Sequence, residues 1–337
     1  MLDGHGDDAY QYTQQMVSNF SSNVYNQSEL SGLRAHLIKH LDLITTYPHP
    51  EAASLQQELA VRNGVLPQQV CVTNGSVESI YLIAQFFREK RSGIRIPTFS
   101  EYGDACCLHR HQVEYIEEWI DLDRFDLVWL CNPNNPTGKV YDKDWLIEQV
   151  GRYPDVLFVI DQAYEWFTKK PVFSPEEAVS FPNVILLHSM TKSFAIPGLR
   201  LGYLTAQEKW VNRLRACRMP WSVNSLAIAA GHYLLENDAK PELDAYLQEK
   251  DRLAASLQTI ASLEVLPSDT HFMLVRLRRG NAYDLKDFLA NNYGVLIRDA
   301  SNFKGLDDTY IRIATQMPAE NDTLVQAIHD YFALPFL

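Results

Sequence analysis

The chain has 337 residues, 46% hydrophobic and 21% charged, enough for a large buried core and for one large domain plus a smaller one. A formal charge of −12 argues against a nucleic-acid partner, because binding a phosphate backbone needs a basic face. On so acidic a surface, any anionic ligand must be held by a local cluster of cations.

Taken in chain order, the first ~45 residues are polar and short of strand signals. The opening stretch, MLDGHGDDAY, is acidic and lacks the basic-then-apolar order of a signal peptide. No apolar run approaches the ~20 residues that span a bilayer, so a soluble protein without a membrane partner is expected. Strand-like apolar runs follow at 93–96, 125–131, 156–160, 184–187 and 201–204. They are apolar on both alternations, as in strands covered on two faces, and predict a parallel sheet within an α/β layer. In such sheets chemistry collects where strands end, and the loops after these runs hold Tyr102, Asn135, Asp161 and the segment 189–192. From about residue 238 the texture changes to a long amphipathic helix (241–263), strand-like pieces at 263–266, 271–277, 294–297 and 310–314, and a closing helix over 319–332. A large α/β domain over 46–235 and a smaller α+β domain from 1–45 and 236–337 are therefore expected.

The five cysteines, Cys71, Cys106, Cys107, Cys131 and Cys217, form no C-x-x-C pair. Nothing near Cys106 and Cys107 completes a tetrahedral metal set, so reduced thiols in the cytoplasm and no metal are expected.

The segment 188–203, HSMTKSFAIPGLRLGY, concentrates the chemistry. Lys192 sits just past a buried strand among small hydroxyl residues, with Arg200 eight positions on. Desolvation beside other cations lowers an amine's pKa and makes it nucleophilic toward an aldehyde. The Ser189 and Thr191 hydroxyls and the Arg200 fork suit a phosphate dianion. A buried lysine paired with a carboxylate, with Arg200 in an ordinary ion pair, would use the same residues.

Ser189-x-Thr191-Lys192 with Gly198 and Arg200 resembles the cofactor-lysine signature of class I/II aminotransferases, the fold-type-I pyridoxal-phosphate family. Asn132-Pro-Asn-Asn-Pro-Thr-Gly138 is similar to the family's N-P-x-N-P-T-G loop, and Asp161-Gln-Ala-Tyr164 to its D-E-A-Y segment, with Gln162 where the family usually has Glu. Asn74-Gly75-Ser76 resembles its phosphate-binding turn, though alone it reads equally as a plain turn. The resemblance implies a large, mostly parallel sheet sandwiched by helices, a smaller α+β domain, and pyridoxal 5′-phosphate carried on Lys192. It further implies Asp161 at the ring nitrogen, Asn135 and Tyr164 at the phenolic oxygen, and Tyr102 stacked on the ring. Asn74, Gly75, Ser76, Ser189, Thr191 and Arg200 would hold the phosphate. Tyr47 would reach the phosphate of a neighbouring subunit, which makes a homodimer the expected active unit. Lys192, Asp161 and Tyr164 carry the catalytic roles.

Any bond at the substrate's Cα can break in this chemistry, and the groups that orient the substrate decide which one. Arg298 and Arg312, each in a strand-like run, resemble the anion-binding arginines of the histidinol-phosphate aminotransferase subgroup. The segment RMPWSVNSLA at 218–227, together with 194–204 and 297–307, is similar to the threonine-phosphate decarboxylase branch, which serves cobalamin side-chain synthesis. That likeness implies substrate contacts from His5, Gly6, Asn23, Asn135, Arg298 and Arg312, and a small phosphorylated amino acid as substrate. Decarboxylation is expected, with histidinol-phosphate-type transamination as the alternative. The branch reads H-G-G-N where this chain has His5-Gly-Asp-Asp8, and two carboxylates turned toward a phosphate would be unfavourable. A nicotinamide enzyme is disfavoured, since no G-x-G-x-x-G follows a strand. A ligand-sensing transcription regulator would need a DNA-binding module that the first 20 residues cannot supply.

Overall fold

The structure, a computed structural model, describes residues 6–237 and 242–334. After a two-residue strand β1 (Ser18–Asn19) come β2 (Val70–Thr73), β3 (Arg91–Arg95), β4 (Gln112–Ile116), β5 (Leu127–Cys131), β6 (Leu157–Asp161), β7 (Val184–Ser189) and β8 (Gly202–Ala206). Strands β2 to β8 form one seven-stranded sheet in the order β2-β8-β7-β6-β5-β3-β4. Every residue of β2, β5, β6, β7 and β8 is buried. Along β5, Leu127, Trp129 and Cys131 pack into one apolar cluster while Val128 and Leu130 pack into another, so helices cover both faces.

The pairings β3–β4, β3–β5, β5–β6 and β6–β7 are parallel. Strand β8 is the exception in this mostly parallel sheet and runs antiparallel to both β7 and β2. The connection from Ser189 to Gly202 holds only a one-turn helix and a 3-10 turn, too little for the crossover that a parallel return requires. Because β5, β6 and β7 are parallel neighbours, Cys131, Asp161 and Ser189 all finish at one edge of the sheet.

The remaining strands are β9 (Leu263–Val265), β10 (Phe272–Leu277), β11 (Val295–Leu296), β12 (Arg298–Asp299) and β13 (Tyr310–Ala314). A four-stranded antiparallel sheet runs β12-β13-β10-β9. Its apolar core includes Leu253, Leu257, Leu285, Leu289 and Ile328 from the helices Leu243–Gln258, Ala282–Tyr293 and Pro318–Ala333. The single strand expected over 294–297 is split. Its first half pairs in parallel with β1, and the chain then changes partner to form β12 against β13. That change places Arg298 directly opposite Arg312.

No helix among the described residues is long and apolar enough to cross a membrane. Among the described residues, no group of three or more His, Cys, Asp or Glu side chains is placed to hold a metal.

Candidate active site

Strand β7 ends in Ser189, whose hydroxyl lies 2.8 Å from that of Thr191 and caps the one-turn helix Met190–Ser193. This turn swings Lys192 into a cavity of about 290 Å³ at the carboxyl edge of the large sheet. The Lys192 ammonium donates to the Ser22 carbonyl at 3.2 Å. Burial, with Arg312 and Arg200 nearby, pulls its pKa down to about 8, against the opposing pull of Asp7 and Asp161. About a tenth of such an amine is unprotonated at neutral pH, far more than of an ordinary lysine.

One end of the cavity is a cradle for an anion. It is lined by Ser76, Ser189, Thr191 and Arg200. Ser76 stands in the first turn of the helix Gly75–Phe86, where amide N–H groups and the helix dipole favour negative charge. Gly75 has φ +76°, and a Cβ there would lie 2.8 Å from Arg200 Nη2, so only glycine lets the guanidinium close on the helix end. Arg200 itself sits in the left-handed region at φ 57° and is held through Nη1 to the Pro197 carbonyl at 3.0 Å.

The middle of the cavity is lined by Asp161, Tyr102, Tyr164 and Asn135. Tyr102 donates to Asp161 Oδ2 at 2.8 Å, and the Ala163 N–H donates to Oδ1 at 2.9 Å. Burial pushes the Asp161 carboxyl up, while these two donors and the nearby His188 hold it toward the ionised form. A carboxylate so placed can accept a further N–H from a heterocycle. The Tyr164 hydroxyl accepts from Asn23 Nδ2 at 3.3 Å, which leaves its own proton to be given elsewhere. Burial pushes that phenol up to about 12, so it stays protonated. His271 in turn fixes Asn23, with its Nε2 3.1 Å from the Asn23 carbonyl.

Toward β13 the cavity becomes cationic. Arg312 donates through Nη1 to Asn135 Oδ1 at 2.5 Å and through Nη2 to the Ser21 carbonyl. Both acceptors are neutral, and its buried Nε has no hydrogen-bond partner among the described residues. A buried guanidinium without a carboxylate partner is an electrostatic vacancy for an anion. Across the ladder, Arg298 donates to Asn302 Oδ1 at 2.7 Å and lies over the Phe303 ring at 5.3 Å. A small adjoining cavity, lined by Gly6, Asn135, Arg298 and Arg312, connects the two guanidiniums. Gly6 packs so closely that a Cβ would lie 2.5 Å from the Ser21 carbonyl oxygen.

The cradle, the buried amine and the carboxylate opposite Tyr102 together fit pyridoxal phosphate. They offer an anion site, an amine for the aldehyde and an acceptor for the ring nitrogen. Of the expected cofactor-site residues, Asn74 does not line this cavity, and neither does Tyr47, which was expected at a neighbouring subunit's cradle. Asn74 is exposed at the helix N-terminus, its N–H given to Glu78 at 2.5 Å, and does not line the cavity. Tyr47 is 84% exposed and rests against Trp221, away from the cavity. His5 lies outside the described residues. The two acidic residues at the N-terminus part company. Asp8 is buried against the Lys286 ammonium at 2.5 Å, whereas Asp7 lines the cavity. Asn19, Ser21 and His271 carried no motif, and only their contacts across the chain bring them into the site.

The family model for aminotransferase class I and II matches residues 15–328. The chain is 31% identical over 329 residues to threonine-phosphate decarboxylase of Salmonella typhimurium, covering 92% of this chain and 90% of that one. It is 32% identical over 304 residues to histidinol-phosphate aminotransferase of Thermoanaerobacter sp., covering 85% and 84%. Among solved structures, L-threonine-O-3-phosphate decarboxylase from Porphyromonas gingivalis superposes with a TM-score of 0.92 at 38% identity, over 94% of this chain and all of that one. The sheet of mostly parallel strands flanked by helices is the fold-type-I arrangement of these enzymes. The chain thus belongs to the aminotransferase class I and II family, and its cofactor is pyridoxal 5′-phosphate.

Proposed function

We propose that this enzyme is a carboxy-lyase that converts L-threonine O-3-phosphate to (R)-1-aminopropan-2-yl phosphate and carbon dioxide, a step of cobalamin side-chain synthesis. The observation that carries this reading is Arg312, a buried cation bonded to neutral acceptors, set opposite a second guanidinium in a connected cavity. The likeness to threonine-phosphate decarboxylases supports it.

In this reading Ser76, Gly75, Ser189, Thr191 and Arg200 hold the cofactor phosphate, Asp161 keeps the ring nitrogen protonated, and Asn135 and Tyr164 bond the phenolic oxygen. When bound, the cofactor supplies an aldehyde for the substrate amine and an electron-withdrawing ring that makes bonds at Cα breakable. Arg298 and Arg312 take the substrate's phosphate, with Gly6 and Asn23 closing the same end. With Arg298 and Arg312 on the phosphate, neither guanidinium would be left to hold the carboxylate, which would leave as carbon dioxide. Lys192 Nζ then delivers a proton to Cα and recovers it from water.

Exposed Ile38, Ile44, Tyr47, Met219 and Trp221 support a homodimer in which Tyr47 reaches the partner's phosphate cradle. Five free cysteines support a cytoplasmic location. Incubation with L-threonine O-3-phosphate is expected to release carbon dioxide and the amino-alcohol phosphate. A keto acid, with the cofactor converted to its amine form, would move the assignment to the histidinol-phosphate-type aminotransferases, to which the chain is equally similar.

A further inference from the structure

At Asp7 this chain puts a carboxylate where the resembling pattern has glycine, and the residue is held in the left-handed region at φ 66°. That backbone region favours glycine over a residue with a side chain. Three hydrogen bonds close a ring around it. The Asp7 N–H donates to Ser21 Oγ at 2.9 Å, the Ser21 hydroxyl donates to Asn19 Oδ1 at 2.8 Å, and Asn19 Nδ2 donates to Asp7 Oδ1 at 2.5 Å. The next residue, Asp8, anchors the same turn through its buried bond to Lys286. Asp7, though exposed to solvent, is therefore held in a fixed place in the cavity lining. The segment it is clamped to is the one whose carbonyls, Ser21 and Ser22, receive Arg312 and Lys192.

The charged groups around the Lys192 amine come from four places: Arg312 on β13, Arg200 before β8, Asp161 at the end of β6, and Asp7. The phenols of Tyr102 and Tyr164 also line the cavity and stay neutral. Two of the four are cations that disfavour an ammonium. Of the two anions, Asp161 already serves Tyr102 and Ala163 with its two oxygens. Asp7 has one oxygen on Asn19 and the other directed to no side chain among the described residues.

We propose that Asp7 is a positioning residue for Lys192, its clamped carboxylate keeping the amine in the charged, proton-donating form. This rests on the decarboxylase reading. When the bond from Cα to the carboxylate breaks, the electron pair stays at Cα. A new C–H bond then takes its proton from Lys192 Nζ, and water returns a proton to the amine. That order needs Lys192 as an acid first, whereas transamination needs it as a base first. An anion at position 7 favours the former.

The test uses cofactor-free wild-type protein and the variants D7N and D7E. Lys192 is acylated with limiting acetic anhydride from about pH 6 to pH 10, and its modification is read by peptide mass spectrometry. The wild-type midpoint is expected near 8. In D7N it should fall by about half a unit or more, making Lys192 about threefold more reactive at neutral pH. D7E should recover about half of that shift or more. A D7N midpoint equal to wild type, with the native circular dichroism retained, overturns the proposal. So does an equal displacement in D7N and D7E, since loss of the clamp alone would then be responsible. Because no substrate is involved, this readout stands apart from the carbon dioxide assay. Wild-type release of keto acid would sink the decarboxylase reading, while the midpoints would still decide what Asp7 does to the amine.

Discussion

At the lysine end of the cavity, Ser189, Thr191, Lys192 and Arg200 come from a single twelve-residue turn between two paired strands. At the arginine end, Arg312 meets Asn135 and Ser21, 177 and 291 residues away in sequence. The first is local and rests on strands buried on both faces. The second is assembled from the N-terminal segment, the large sheet and the small sheet, and holds together only if all three are in place. The lysine end is thus suited to hold a constant cofactor, and the arginine end to vary with the substrate.

Substitutions can break this comparison at either end. Lys192→Ala should cause the largest loss, roughly 10⁴-fold in kcat, the upper range for a general acid–base residue. Mass spectrometry should also find no reducible cofactor adduct. Arg312→Ala should lower kcat/KM by about 10²- to 10³-fold, as for loss of a buried charged donor. Cofactor affinity, measured by absorbance titration, should change far less; an equal loss of both would mean that the two ends are not separable. Asn302→Ala, which removes the 2.7 Å hydrogen bond that positions Arg298, should raise KM about tenfold with kcat little changed. The mildest effect concerns His271, whose pKa burial depresses to about 3. Between there and the unfolded value near 6.5 the unfolded chain binds the extra proton, so stability falls as pH drops through that window. Denaturant titrations at about pH 7.5 and pH 5.5 should differ by about 1 kcal/mol from this group. His271→Gln should remove that difference while keeping a donor to Asn23.

Much of the lysine end was legible in the residues. Ser189, Thr191, Lys192 and Arg200 lie close together in sequence, and Asp161 closes an apolar run, so strand, turn and chemistry coincide. Asn74 shows the limit of a motif, since the turn that puts Gly75 and Ser76 at the cavity turns Asn74 outward. The antiparallel β8 was not legible, because a strand buried on both faces reads alike in either direction. Its direction follows from the shortness of the connection. Arg298 and Arg312 were visible as strand arginines, but not that they face one another, which depends on the break between β11 and β12.

By itself, the sequence determined the buried strands, the order of the motifs and so the family, and it singled out one lysine as the candidate amine. All of these depend on neighbours within a few residues. Tertiary structure alone decided that Asp8 is neutralised by Lys286 while Asp7 lines the cavity, and that Arg312 is buried with no carboxylate partner among the described residues. Partners hundreds of residues apart have no periodicity or spacing to announce them. Which charge is paired, and which is left for a ligand, is settled only when the two sheets and the N-terminal segment close on one another.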